Sequence, residues 1–252
     1  MSGLGLLLGW LAVIGLVLLG LLTAGHLYGK RRDSGDSPGV STVDGAVFAL
    51  AGFLLAFAFS GAQSRLETRR AAVVNEANAI GTAYLRTSLA DNANTLRPML
   101  REYLDARMAG TDALPDMARA DIEWKKSQEI GQKIWDASVA GTTGDHRQAD
   151  RMLLLEAMNT MLDAATSRGV AARTHLPTEI FVLLVAITAL ASFLAGRAMA
   201  SHPGELTLHR FALALVFASV LAVLIDLEHP RSGLIQLGAS DEAMRQSIPP
   251  AP

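Results

Sequence analysis

The residues able to do chemistry in this 252-residue chain gather in two places. The first runs from Arg65-Leu66-Glu67-Thr68-Arg69-Arg70 through Asn75-Glu76-Ala77-Asn78-Ala79-Ile80-Gly81-Thr82-Ala83-Tyr84-Leu85-Arg86. On a helix, Asn78, Thr82 and Arg86 recur at every fourth position and share a face. Upstream, Phe53 and Phe57 share another. Cationic side chains at the mouth of a passage raise the local concentration of anions, and aromatic rings can form a hydrophobic constriction. Phe53, Phe57, Arg65, Arg69, Asn78, Thr82 and Arg86 are therefore the candidate pore or vestibule residues. The commoner explanation of such a pattern is a solvated helix face with weak ion pairs, and aromatics that meet lipid or neighbouring helices. Glu76 lies seven residues after Arg69, near the same face but out of contact with it.

The second place is Asp226-Leu227-Glu228-His229-Pro230-Arg231-Ser232-Gly233-Leu234-Ile235, at the end of an apolar stretch. Charges at a membrane boundary are costly unless paired. Arg231 opposite Asp226 or Glu228 is the simple reading of this cluster, and a gate or ion site is the sharper one. Asp44, at the entrance to another apolar stretch, is expected to cap a helix rather than to pair with a cation.

Other chemistries find no support. Cysteine is absent, which removes disulfides and thiolate metal sites. The histidines (His26, His146, His175, His202, His209, His229) show no i, i+4 pair of the kind that holds a metal on a helix. No phosphate-binding glycine loop and no Gly-x-Ser-x-Gly elbow occurs. With a net charge of -2 the chain carries no nucleic-acid signature. The expectation is a protein that is not an enzyme, with no catalytic, cofactor or metal site. Its partners are the lipid bilayer, further copies of itself and small anions, and not nucleic acid.

Four apolar blocks must position these residues. Half of the chain is hydrophobic and only 18% is charged, with a mean hydropathy of +0.29. A bilayer core of about 30 Å needs roughly 20 apolar helical residues. The blocks run over about 3–25, 45–62, 180–196 and 208–225, the last reaching its length only if Leu206 to Leu208 join it and Arg210 snorkels. The first block is read as a retained anchor. It has no positive residue before it, is too long for a signal-peptide core, and is followed by Lys30-Arg31-Arg32, although Thr23-Ala24-Gly25 would suit a peptidase. Small residues recur at helical spacing on every block: Gly5 and Gly9; Gly45, Ala49, Gly52, Ala56 and Ser60; Thr188, Ser192 and Gly196; Ala214, Ala218 and Ala222. Such stripes let helix backbones approach closely, either within one copy of the chain or between copies around an axis.

Residues 63–177 read as a water-exposed helical domain and 229–252 as a C-terminal tail. No proline falls between Asp44 and Pro98, so the second span continues into water as one helix with the seam Leu66, Val73, Ala77, Ile80, Tyr84. Asp91 to Asn94 is a turn, with Thr95 as N-cap of a helix over Leu96–Met108 that buries Met99, Leu100, Tyr103 and Leu104. A loop over Gly110–Pro115 leads to a helix with Ile122, Ile130, Ile134 and Trp135 inside. After the loop Gly141–Gly144, a helix from Arg147 to about Arg173 presents Arg151, Leu154, Leu155, Met158, Met161, Leu162 and Ala165. Pro177 marks the return to the membrane. The fold class is all-α: a polytopic membrane protein of four transmembrane helices, with a helical extramembrane domain between the second and third.

The stretch Asp44 to Arg86, with Arg-Leu-Glu-Thr-Arg-Arg and Asn-Glu-Ala-Asn-Ala-Ile-Gly-Thr-Ala-Tyr-Leu-Arg, resembles the bacterial bestrophin-like family, as does Asp226-Leu-Glu-His-Pro-Arg-Ser-Gly-Leu-Ile. The likeness covers about residues 40 to 240. It implies kinship with bestrophins, pentameric anion channels in which the second of four membrane helices lines the pore and long helices project into the cytosol. The bestrophin calcium clasp of clustered acids has no counterpart in this sequence. The function implied is an oligomeric anion channel in the cell (inner) membrane with the second helix lining the pore. The alternative is a non-conducting sensor or scaffold acting through the helical domain. Orientation stays open: the basic short loops place the central domain outside the cytoplasm by the positive-inside rule, to which the reading leans, and the resemblance places it inside.

Overall fold

The computed structural model describes residues 3–31, 38–143, 148–201 and 207–250. Arg32, Gly144, Arg147 and Leu206, read above as a flank, a loop, a helix start and a span extension, lie outside the described residues. Among the described residues eight α-helices follow one another: α1 (Gly3–Arg31), α2 (Pro38–Arg86), α3 (Ala93–Asp112), α4 (Met117–Ala140), α5 (Gln148–Arg173), α6 (Thr178–Ala198), α7 (Thr207–Glu228) and α8 (Gly238–Arg245). No strand occurs among the described residues. Four helical stretches are long and apolar enough to cross a membrane, and they contain the four expected blocks. The chain is an all-α, multi-pass membrane protein.

Two compact units divide the chain. One comprises residues 1–66 and 175–235, the other 67–174 and 236–252. In the first unit, α1 packs along α6 and α7. The sequence makes the close approach possible: a methyl group on Gly25 would collide with the Phe193 carbonyl, and one on Gly196 with the Leu22 carbonyl. Leu18, Leu22, Ala195, Ala214 and Ala218 form the buried centre there, with Phe48 of α2 against it. Thr188 and Ser192 are buried and return their hydroxyl protons to carbonyls four residues back, at 2.7 and 2.9 Å. Those bonds satisfy both donors without a partner helix.

The second unit has a helical core of its own. Val73, Ile80 and Ala83 from α2 meet Leu96, Leu100 and Tyr103 from α3, Ile130 and Ile134 from α4, and Leu154, Met158 and Met161 from α5. Most of the expected seam positions are inside, and Met99, Trp135 and Leu162 pack partly against them. Ile122 is a correction: it is 66% exposed. It lies in the second turn of α4, eight residues ahead of the buried Ile130, whereas Ala120 takes the inward place in that turn. Helix ends also move. α3 starts two residues before Thr95, after Asn92, and runs on through Gly110 to Asp112, because Gly110 lets the Trp124 indole lie against its backbone. Asp116 caps α4, accepting from the Arg119 amide at 3.1 Å.

The C-terminal segment is not a free tail. Met244 and Ile248 are buried in the core of the second unit, and Ser247 lies against Gly81 of α2. The sequence hid this because eight residues of helix with one amphipathic face read as a surface element when taken alone.

Candidate functional site

The buried positions of α2 repeat at intervals of three and four: Ala51, Leu55, Ala58, Ala62, Leu66, Arg69, Val73, Glu76, Ile80 and Ala83. That regularity leaves one continuous outer face on the helix. In the membrane-spanning part the outer face carries Gly45, Ala49, Gly52, Phe53, Ala56, Phe57 and Ser60, with Leu50 and Phe59 also exposed beside them. Phe53 and Phe57 are 59% and 66% exposed, and their rings lie 4.9 Å apart at a tilt of 49°. A methyl group on Gly45 or Gly52 would meet nothing. Beyond the span the face turns polar, with Asn75, Asn78 and Thr82 all exposed.

The small-residue stripes of α6 and α7 have the opposite fate. Thr188, Ser192 and Gly196 of α6, and Ala214, Ala218 and Ala222 of α7, are buried within the unit. Where helices other than α2 face outward they show large side chains: Leu8, Val13, Leu16 and Val17 on α1, and Leu208, Phe211, Leu215 and Val216 on α7. Those are the residues expected against lipid. The outer face of α2 is richer in small residues.

The candidate cations divide. Arg65 turns inward and forms an ion pair with Glu228, its Nε at 2.9 Å from Oε1. The second Glu228 oxygen accepts from the Leu176 amide at 3.2 Å, with His175 Nδ1 at 3.6 Å. His175 in turn stacks on His229, ring centroids 5.4 Å apart. Asp226 accepts from the amides of Leu234 and Ile235, each at 3.1 Å, and leaves no room for any side chain at Gly233. The boundary cluster is therefore a braced turn. Glu228 is met by Arg65, and Asp226 by two backbone amides. Arg231 itself sits at φ 131°, a conformation that a non-glycine residue adopts only under local constraint. Asp44 is likewise corrected: α2 begins six residues earlier, so Asp44 pairs with Arg197 of α6 at 2.7 Å instead of capping.

In the second unit, Arg69 is buried and donates to the carbonyls of Ala171 and Thr174, at 3.3 and 2.7 Å. A cation at the last carbonyls of α5 is favoured by the helix dipole, so this arginine has a structural task. Arg86 donates to the Leu153 carbonyl at 2.7 Å and pairs with Glu156. Of the seven candidates, Phe53 and Phe57 are exposed on α2 in the first unit, Asn78 and Thr82 are exposed on α2 in the second, and the three arginines are engaged elsewhere.

Sequence reading missed the most buried charge cluster. Glu76, placed above on a solvated face, is 0% exposed and lies between two arginines. Arg107 holds it at 2.5 and 3.1 Å, and Arg168 at 2.9 Å; Arg168 also donates to the Thr111 hydroxyl. Burial alone would lower the Arg107 pKa, but the charge and hydrogen bonds of Glu76 outweigh it and raise it. The partners stand 31 and 92 residues away in sequence. The available hint was an acid on the inward register of the seam, one position before Ala77.

Residues 11–241 match the bestrophin-like domain. The chain belongs to the bestrophin-like family. No curated protein and no solved structure matches it. In this bestrophin-like chain, the matched region takes in most of the first span, the other three whole, and most of the helical unit.

Proposed function

We propose that this protein assembles as an oligomer in the cell (inner) membrane and conducts small anions, with the outer face of α2 lining the pore. One observation carries the reading. The outward face of α2 is richer in glycine, alanine and serine, beside Leu50, Phe59 and the pair Phe53 and Phe57, than the outward faces of α1 and α7, which carry mostly leucines, valines and other large apolar side chains suited to lipid. Small residues permit close approach of copies around an axis. The pair Phe53 and Phe57 then forms the hydrophobic constriction, and Asn78 and Thr82 give the entrance beyond it a polar, uncharged wall. Kinship with bestrophins supports the same assignment of α2. The arginines do not line the path: Arg65 and Arg69 act within their own units.

Planar-bilayer recording of the purified protein tests this. Anion-selective current is expected, and Phe57→Ala raises unitary conductance or removes gating. A folded, monodisperse oligomer that passes no current overturns conduction, and points instead to a membrane sensor or scaffold acting through its helical unit.

A further inference from the structure

The end of α2, the 3-10 turn Thr87–Leu89 and the first turns of α3 hold two arginines side by side. Arg97 and Arg101 are one helical turn apart. Arg97 Nε donates to Thr87 Oγ1 at 3.2 Å, and Thr87, fully buried, donates to the Tyr84 carbonyl at 2.7 Å. Arg101 Nη2 donates to the Tyr84 phenol oxygen at 2.7 Å. Both guanidinium carbons lie over the Tyr84 ring, at 5.7 and 5.3 Å from its centre. Each arginine is thus fixed by one hydrogen bond and one aromatic face, and most of its N–H donors stay unused.

No carboxylate pairs with either arginine among the described residues. Asp105, one turn beyond Arg101, makes no ion pair, and Glu156 is taken by Arg86. Arg101 Nε is buried without an acceptor. Like charges four residues apart on a helix repel. Here the fold orients them together and supplies no neutralising group.

We propose that Tyr84, Thr87, Arg97 and Arg101 form a binding site for the phosphate group of a soluble small molecule. Two uncompensated positive charges match a phosphate dianion. Each planar guanidinium offers paired donors to two of its oxygens. A carboxylate would be satisfied by one such fork, so the pair selects phosphate. The site lies wholly within the second unit and does not depend on conduction.

The test is binding of inorganic phosphate to the purified full-length protein at constant ionic strength, with chloride as the competing anion and unfolding temperature as a second readout. Saturable binding and a phosphate-dependent rise in Tm are expected. Arg97→Gln and Arg101→Gln each weaken binding by ~tenfold or more, and Arg101→Lys, which keeps the charge and loses the fork, also weakens it. Tyr84→Phe removes the acceptor that orients Arg101 but keeps the ring. It leaves the fold intact and still lowers affinity. A wild-type protein with no phosphate response beyond that to chloride, or a folded Arg97→Gln/Arg101→Gln variant that binds like wild type, overturns the proposal.

Discussion

Glu76 shows how much one buried charge can decide. Its two oxygens are engaged by two guanidiniums in the centre of the second unit. Removing one member of a buried pair leaves an uncompensated charge and is worth about 3–5 kcal/mol. Glu76→Gln is therefore expected to destabilise the second unit by that order, read as a fall in the denaturant midpoint for its tryptophans, Trp124 and Trp135. Glu67→Gln, on the exposed side of the same helix, should change it by well under about 1 kcal/mol. Tyr103 supplies a pH signature. Burial pushes its phenol pKa up from the usual 10.0. The folded state thus favours the neutral phenol. Its contribution to stability is complete below that usual value and is lost as pH rises above it. Unfolding temperatures should fall more steeply on the alkaline side in wild type than in Tyr103→Phe.

At the scale of elements, glycine positions separate contacts within a copy from contacts between copies. Gly25 and Gly196 lie where α1 and α6 backbones touch. Gly25→Val or Gly196→Val must part the two helices, so loss of folded protein in detergent is expected. Gly9 and Gly20 face open space, and alanine there should be neutral or slightly stabilising, by up to about 1 kcal/mol. The turn after α7 is equally constrained. Any Cβ at Gly233 strikes the Asp226 carboxylate, so Gly233→Ala breaks the two amide bonds that brace it. A drop in Tm comparable to that of Asp226→Ala would confirm that the two residues act as one device.

For the molecule as a whole, the decisive variant is Gly52→Leu. In a single copy a Cβ there meets nothing, so the protomer should fold. At a contact between copies it should abolish assembly, which native mass spectrometry reads as monomer in place of oligomer. An unchanged oligomer would place the α2 outer face against lipid. The second unit depends on its C-terminal segment in a similarly testable way. Deleting residues 238–252 uncovers the sites of Met244 and Ile248, each worth about 1.5–3 kcal/mol of burial. Faster limited proteolysis of the second unit is the expected result.

Hydropathy and helical period made the four spans, the unbroken α2 and most of the helical core legible in the sequence. Lipid and water select residues by type, and that selection repeats every turn. The same local rule put Phe53 with Phe57, and Asn78 with Thr82, on shared faces, because face is a property of spacing along one helix. It could not say what Arg65, Arg69, Asp44 or Glu76 would meet. Their partners are Glu228, the end of α5, Arg197 and the pair Arg107 and Arg168, all distant in sequence. Nor could it show that Arg97 and Arg101 share the ring of Tyr84, or that the last residues close a core. A charge finds its partner only when helices pack, and helix packing depends on which backbones can approach, as at Gly25 and Gly196. Sequence fixes the pattern along each helix; the pairing of charges between helices is settled by tertiary structure.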